Sequence, residues 1–365
     1  MQKNILVLTN NIGGLHSFRK EVMKAIVDEN YIVYISEPDD NDKAKYFEDI
    51  GCKIIKTRFD RRGMNPLSDL ILLVKYLKLI CNTKPQAVLT YTIKPNVYGG
   101  LACRITKTPQ IANVTGLGDA IENGGWLQYL TIFLYRLGIS KAQRVFFQNE
   151  HDKDFCVKSK ITSQKSTVLP GSGVNLEHHK YQPFPSNNCS IKFLFIARLL
   201  KDKGTEEFFE MAEYIKKMYP NTEFHIIGNC EGNYREQLEG LVNKKIIVYH
   251  GTTMDVRPYI NEVQCTIMPS YHEGMSNVNL ESAANGRPVI TTNVPGCRET
   301  VDDGITGYLI KPKSTKDLIQ KVERFINLPY EKKKAMGLAA RKKVELEFDR
   351  NIVINAYLDE IRRQK

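Results

Sequence analysis

Apolar and polar positions alternate in blocks: a short run rich in Val, Ile, Leu and aromatic residues, a turn, then a longer segment with apolar residues at helical spacing. In the first half the runs are NILVLTN (4–10), YIVYIS (31–36), CKIIKT (52–57), AVLTYT (87–92), QIANVTG (110–116) and RVFFQN (144–149). Between the first two, Phe18, Val22, Ala25 and Ile26 recur at helical spacing while Arg19, Lys20 and Lys24 fall elsewhere, predicting a helix with one buried face. Near-continuous apolar strands joined by helices predict a parallel sheet covered on both sides.

The stretch TVLPGSGVNLEHHKYQPFPSNNCS (167–190) breaks this rhythm with Pro, Gly, Ser and Asn, and reads as a linker. The rhythm restarts with IKFLFIAR (191–198), TEFHIIG (222–228), IIVYHG (246–251), CTIMPS (265–270), PVITTN (288–293) and TGYLIKP (306–312), and ends in two charged helical segments, roughly 330–346 and 350–363. The expected architecture is α/β: two Rossmann-like, doubly wound parallel-sheet domains, 1–170 and 191–345, joined by a linker at 171–190. The end of the chain, 346–365, is expected to form a helix that packs back on the first domain. A length of 365 residues suits two domains at ~100–200 residues each. Doubly wound sheets bind ligands outside the carboxyl ends of their strands, so the active site is expected in the crevice between the halves.

Composition narrows the partners. Hydrophobic residues at 42% and charged residues at 25% are the balance of a soluble globular protein. The N-terminal apolar run is too short for a secretory signal, and no stretch nears the ~18 apolar residues of a spanning helix, so any membrane contact is expected to be peripheral. Eight scattered cysteines, with no CxxC pair and no zinc spacing, read as buried thiols of a cytosolic protein. A net charge of +11 favours anionic partners: nucleic acid, an anionic membrane face or phosphate-bearing substrates. Nucleic acid is set aside, because neither finger spacing nor an RNP-type aromatic motif is present.

The densest chemical signal is PSYHEGMSNVNLESAANGRPVI (269–290), which leaves a strand and enters a short helix. Ser276 or Asn277 is its expected N-cap, with Glu281 in or just past the first turn and Glu273 in the loop ahead. A carboxylate accepts two hydrogen bonds from a vicinal diol, so the pair suits two sugar rings. Backbone amides at Gly274, Met275, Ser276 and Asn277 form a candidate anion site at the helix N-terminus. In IARLLKDKG (196–204), Arg198 at a strand end and Lys203 five residues on form a candidate diphosphate clamp. The plain alternative for all four side chains is solvated surface charge. In the first half, NNIGGLHSF (10–18) is expected to be a loop in which Gly13 and Gly14 let backbone approach a ligand. TYTIKPNVYGG (90–100) and NVTGLGDA (113–120), with Lys94, Thr115 and Asp119, are expected to line the acceptor side.

These motifs resemble the retaining GT-B glycosyltransferases of family 4, whose hallmark is a Glu-x7-Glu motif preceded by an Arg-x4-Lys pair. The resemblance spans essentially the whole chain. Within that family KTRFDRRGMNPLSD (56–69), TYTIKPNVYG, NVTGLG and VFFQNE (145–150) are similar to bacterial enzymes of capsule, O-antigen and N-glycan assembly. The resemblance implies a UDP-N-acetylhexosamine-type donor and a polyprenyl-diphosphate-linked saccharide acceptor at the cytoplasmic face of the membrane. It implies that Arg198 and Lys203 bind the donor diphosphate, Glu281 the ribose hydroxyls and Glu273 the transferred sugar, and that Gly13 and Gly14 let the N-terminal domain close on the donor phosphate. Many relatives carry a His where this chain reads Asn113-Val114-Thr115-Gly116, so no general base is assigned; Asp119 and Lys94 are candidates.

Retaining transfer without a carboxylate nucleophile fits front-side attack, with the two cations stabilising the departing diphosphate. No cofactor and no metal are expected, since two fixed cations take the place a metal would otherwise fill. Arg58, Arg61 and Arg62 can meet lipid headgroups or the acceptor diphosphate, or form an ordinary surface patch. GGWLQYLTIFLYRLG (124–138), with Trp126, Tyr129, Phe133 and Tyr135, can enter the membrane interface, although packing on the sheet is the plainer expectation. The alternatives to transfer are a nucleotide-sugar epimerase and a sugar-nucleotide-binding protein without catalysis.

Overall fold

The computed structural model describes residues 3–38, 42–60, 63, 65–117, 125–162, 165–186, 190–230 and 232–364. The chain divides into two compact units, residues 1–172 with 351–365, and residues 173–350.

In the first unit, β1 (Lys3–Leu8), β2 (Tyr31–Glu37), β3 (Lys53–Lys56), β4 (Ala87–Tyr91), β5 (Gln110–Val114), β6 (Arg144–Phe147) and β7 (Ser166–Val168) form one sheet in the order β3-β2-β1-β4-β5-β6-β7. Every pairing is parallel, for example Ile5 beside Val33 on one side and Ala87 on the other. The helices are α1 (Ile12–Asp28), α2 (Lys43–Asp49), α3 (Pro66–Thr83), α4 (Gly100–Thr106), α5 (Trp126–Ile139) and α6 (Glu150–Lys158), with a π-helical turn at Pro95–Gly99. The strand order reverses between β1 and β4. β7, three residues long, lies within the expected first domain but has no hydrophobic pattern that marks it as a strand.

Helix α1 departs from its sequence expectation. Phe18 is exposed and Arg19 is buried. The Arg19 guanidinium donates to the Phe18 and Gly171 carbonyls and to the Tyr357 hydroxyl, which itself bonds the Asn113 side chain. Tyr357 belongs to the final helix, and its ring lies beneath the same guanidinium. A cation otherwise too costly to bury is satisfied by carbonyl and phenol oxygens from segments far away in sequence.

The second unit holds β8 (Ile191–Ile196), β9 (Thr222–Ile227), β10 (Ile247–Tyr249), β11 (Cys265–Met268), β12 (Val289–Thr292) and β13 (Gly307–Ile310), in the order β10-β9-β8-β11-β12-β13, again all parallel. Its helices are α7 (Thr205–Met218), α8 (Arg235–Asn243), α9 (Arg257–Glu262), α10 (Asn277–Ala284), α11 (Thr315–Ile326) and α12 (Tyr330–Glu347). The stripe Phe208, Met211, Ala212 and Ile215 of α7 is buried against Phe193, Phe195 and Phe224 of the sheet. Here the order reverses between β8 and β11. Most of 167–190 is not free chain: Phe184 joins this core, and the Gln182 and Pro183 carbonyls accept from the buried Arg287 guanidinium.

The last helix, α13 (Arg350–Arg362), packs Val353, Tyr357, Leu358 and Ile361 into the core of the first unit beneath β1, β2 and β4. Arg144 of β6 donates to the buried Glu360 carboxylate at 3.0 Å. The chain therefore passes between units twice. At the passage Val174 pairs with Asp349, the Val174 amide donates to the Phe348 carbonyl, and the Arg350 amide and guanidinium donate to Val174 and Gly173.

Seven of the eight cysteines are described, all with free thiols; six are buried, while Cys81 is exposed because it lies on the outer face of α3. Cys189 lies outside the described residues, as do Arg61, Arg62 and Asp119.

Candidate functional site

In the second unit the two loops flanking the strand-order reversal leave β8 and β11, and these carry the predicted cations and carboxylates. Ligands of doubly wound sheets sit at such reversals. The β8 loop runs through Arg198 and a 3₁₀ turn at Lys201–Lys203 to Gly204, whose φ of +72° favours glycine. A side chain at Gly204 would meet the Pro269 carbonyl, so the absence of a Cβ lets the two loops touch. The Tyr271 amide donates to the Asp202 carbonyl at 2.8 Å, and the buried Ser270 Oγ lies 3.2 Å from the same oxygen.

That contact brings Lys203 Nζ to 2.9 Å from Glu273 Oε1, with both side chains less than one-fifth exposed. Ser270 Oγ donates to the same carboxylate oxygen at 2.9 Å, and Asp202 lies 3.6 Å from the ammonium. Arg198 is exposed, and its guanidinium makes no hydrogen bond or ion pair among the described residues. Ser270 was missed at the sequence level, since a serine three residues before a glutamate carries no distinctive signal.

Ser276 caps α10, its hydroxyl accepting from the Asn279 amide at 3.4 Å. Its own amide is committed to the Gly296 carbonyl at 2.7 Å, which removes one of the proposed anion donors; the Met275 and Asn277 amides have no acceptor among the described residues. Gly296, φ +79°, lies so close to the Glu273 and Gly274 carbonyls that a Cβ would collide with both. Glu281 lies just past the first turn of α10, half-buried, and its carboxylate meets no hydrogen-bond donor among the described residues. Burial pushes its pKa up to about 7; Arg350 opposes the push and Asp255 reinforces it. Asp255 is itself held down at about 2 by the hydrogen-bonded Arg257 guanidinium. Of the four side chains, Glu273 and Lys203 are fixed against each other, while the Arg198 guanidinium and the Glu281 carboxylate make no hydrogen bond among the described residues. Among the described residues, no group of three or more His, Cys, Asp or Glu side chains could hold a metal ion.

In the first unit the corresponding reversal lies between β1 and β4. Gly13 and Gly14 are not in a loop: they occupy the first turn of α1, because Asn11 caps the helix by accepting from the Gly14 amide at 3.1 Å. A Cβ at Gly14 would press on the capping side chain. Lys94, just beyond β4, places Nζ 2.7 Å from Asp69 Oδ1, with the two side chains 13% and 14% exposed. The Tyr98 hydroxyl donates to Asp69 Oδ2 at 2.7 Å, and burial and that carboxylate raise its pKa. Thr115 is exposed at the end of β5. Asp69 was missed because 25 residues separate it from the lysine it meets.

Helix α5 divides its residues between two environments. Thr131, Tyr135, Gly138 and Ile139 pack inward, while Trp126 (71%) and Tyr129 (73%) are exposed together with Leu130 and Phe133. Helix α3 likewise exposes Leu67, Leu70, Ile71 and Val74. No helix among the described residues is long and apolar enough to cross a membrane.

Residues 180–343 match the family model described as glycosyl transferases group 1, and residues 5–149 match the model described as glycosyl transferase 4-like. The chain is 29% identical to the N,N'-diacetylbacillosaminyl-diphospho-undecaprenol alpha-1,3-N-acetylgalactosaminyltransferase of Campylobacter jejuni, with 94% of each chain covered. It is 27% identical to the capsular polysaccharide biosynthesis glycosyltransferase CapM of Staphylococcus aureus, over 89% of this chain and 88% of that one. Among solved structures, a glycosyltransferase from Rickettsia africae superimposes with a TM-score of 0.79 at 19% identity, covering 100% of this chain and 98% of the other. Anabaena Alr3699/HepE in complex with UDP-glucose superimposes with a TM-score of 0.80 at 17% identity, covering 99% of this chain and 100% of the other. With a group 1 model matched to its second half, a glycosyl transferase 4-like model matched to its first half, and sugar-transferring enzymes aligned along nearly its full length, the chain is a glycosyltransferase of GT-B fold.

Proposed function

We propose that the protein transfers a sugar of N-acetylhexosamine type, with retention, from a UDP-sugar to a polyprenyl-diphosphate-linked saccharide at the cytoplasmic membrane face. The observation that carries this reading is the junction of the β8 and β11 loops, where Lys203 grips Glu273 in the loop ahead of the helix that carries the half-buried Glu281. Glu281 awaits the ribose diol, Glu273 orients the hydroxyls of the transferred sugar, and Arg198 and Lys203 take the diphosphate. As the glycosidic bond lengthens, negative charge grows on the β-phosphate. Fixed cations stabilise that charge without reorganising, and the departing oxygen accepts the proton of the incoming hydroxyl on the same face. In this reading the two cations act without a cofactor or metal.

The acceptor class is supported by the Campylobacter relative, whose name specifies a diphospho-undecaprenol-linked substrate, and by the exposed faces of α3 and α5. Aromatic residues at Trp126, Tyr129 and Phe133 suit the headgroup boundary of a bilayer, and the excess of basic residues suits its anionic surface.

The test is a panel of radiolabelled UDP-sugars offered with and without a short polyprenyl-diphosphate glycan, with the product anomer read by NMR. Transfer that requires the lipid-linked acceptor and gives an α-linkage from an α-donor supports the reading. Epimerised donor without acceptor, or an inverted linkage, overturns it.

A further inference from the structure

We propose that Lys94 is the cation that receives the acceptor's diphosphate, held in place beforehand by Asp69 and Tyr98. This rests on the lipid-linked acceptor proposed above and assigns it a docking point on the first unit.

Three observations converge at the end of β4. Lys94 Nζ donates to Asp69 Oδ1 at 2.7 Å while Tyr98 donates to Asp69 Oδ2 at 2.7 Å, so both carboxylate oxygens are engaged. An ammonium has three donors, and this one has a single hydrogen-bond partner among the described residues. The half-buried lysine is therefore short of acceptors, which an incoming phosphate supplies.

The backbone around it is held in uncommon geometry. Thr92 has φ +71° without being glycine, and the π-helical turn begins at Pro95, immediately after Lys94. Buried Asn96 fastens this turn, accepting from Thr90 Oγ1 at 2.7 Å and donating to the Asn113 carbonyl at 2.8 Å. Strained φ values and π-turns gather where a side chain must be aimed. Pinning β4 to α3 would not by itself call for charge, since an apolar pair does that without desolvating two ions.

The surroundings match an amphiphile. Leu67, Leu70 and Ile71 lie on the helical turns around Asp69, Ile93 is adjacent to Lys94 in sequence, and all four are exposed. A cation at the foot of an apolar face fits a diphosphate esterified to a long hydrocarbon better than it fits a free anion.

The full-length protein, saturated with UDP to block the donor site, is titrated calorimetrically with farnesyl diphosphate, with farnesol and inorganic diphosphate as separate arms. Wild type binds farnesyl diphosphate more tightly than either. Lys94→Ala weakens that binding roughly 10- to 100-fold, as expected for a lost charge-assisted contact, while Lys94→Arg stays within a few-fold of wild type. UDP affinity is unchanged in both, and KM for a lipid-linked acceptor rises with the loss of binding. Asp69→Asn separates a docking cation from a structural pair: the amide oxygen still holds the ammonium while the competing charge is gone, so binding is preserved or tightened, whereas a merely structural pair would make this variant as weak as Lys94→Ala. It also decides the matter if Lys94→Ala does not fold. Equal binding by wild type and Lys94→Ala, equal binding of farnesol, or no binding by wild type overturns the proposal. Wild type that transfers sugar to a lipid-linked acceptor with Lys94→Ala unimpaired refutes Lys94 alone. Wild type that binds farnesyl diphosphate yet transfers to no lipid-linked saccharide refutes the broader reading and leaves the docking site standing.

Discussion

Replacing Glu281 with glutamine should stabilise the unliganded protein at alkaline pH while weakening UDP binding, because the same burial makes the carboxylate costly without a ligand and useful with one. The pKa of Glu281 is raised from 4.5 to about 7. The folded state therefore holds the proton more tightly than the unfolded chain, and stability falls as pH climbs from 4.5 towards 7. At ~1.36 kcal/mol per pH unit the full penalty above pH 7 has a ceiling of about 3 kcal/mol, and water reaching the half-buried group lowers the expectation to about 1–2 kcal/mol. Glu281→Gln should accordingly gain ~2–8 °C in the melting of the second unit at pH 8, and close to nothing at pH 5. The single tryptophan, Trp126, lies in the first unit, so its fluorescence does not report this transition. Calorimetry or hydrogen exchange of the α10 amides does. UDP affinity of the wild type should rise with pH through about 7, as the carboxylate that accepts the ribose hydroxyls ionises, and the variant should be about tenfold weaker with a flat profile. A variant no more stable than wild type at pH 8, or one whose UDP affinity keeps the wild-type pH dependence, refutes the reasoning.

Arg198→Ala and Lys203→Ala should each lower kcat by on the order of 10²–10³ with a smaller change in UDP-sugar affinity, since the charge they meet grows in the transition state. Activity should survive EDTA; loss on chelation and rescue by a divalent metal, with both variants still active, would replace the clamp with a metal. Gly296→Ala should cost about 1–3 kcal/mol in stability and weaken donor binding, because φ is +79° and a Cβ would push on the Glu273 carbonyl; wild-type UDP affinity in that variant, measured calorimetrically, would break the link between Gly296 and the carboxylate. Sedimentation with anionic vesicles at low salt should carry the protein down, and Leu70→Gln with Phe133→Gln should leave it in the supernatant; vesicle binding undiminished in that double variant would mean other surfaces hold the membrane.

Elements whose burial is set locally were legible in the sequence. The periods of β1 to β6 and of α7 and the cap at Ser276 follow from residues a few positions apart, whereas the ion pair of Lys203 with Glu273, 70 residues away, was not anticipated. What was not legible depends on partners far along the chain. Arg19 looks like a solvent residue until Tyr357 and the Gly171 carbonyl arrive to satisfy it. Gly13 and Gly14 read as a loop because glycine resists helix, yet the Asn11 cap outweighs that preference in the first turn. The Asp69 pairing could not be seen, because nothing local distinguishes that aspartate from an ordinary first-turn acid on a helix.

The double passage of the chain makes the first unit discontinuous in sequence, and this limits how such enzymes can be recombined. A chimera spliced only at 172/173 would take α13 from the wrong parent, presenting the cleft beneath β1, β2 and β4 with side chains other than Val353, Tyr357, Leu358 and Ile361. It would also set Arg19 against a foreign surface without its phenol. An N-terminal half therefore cannot be exchanged as a single cassette: the tail has to travel with it, through a second junction near 350/351. Inheritance in this architecture is expected to follow the same rule, with residues 351–365 co-varying with the first unit, which they complete, and not with the second unit, which they follow in sequence.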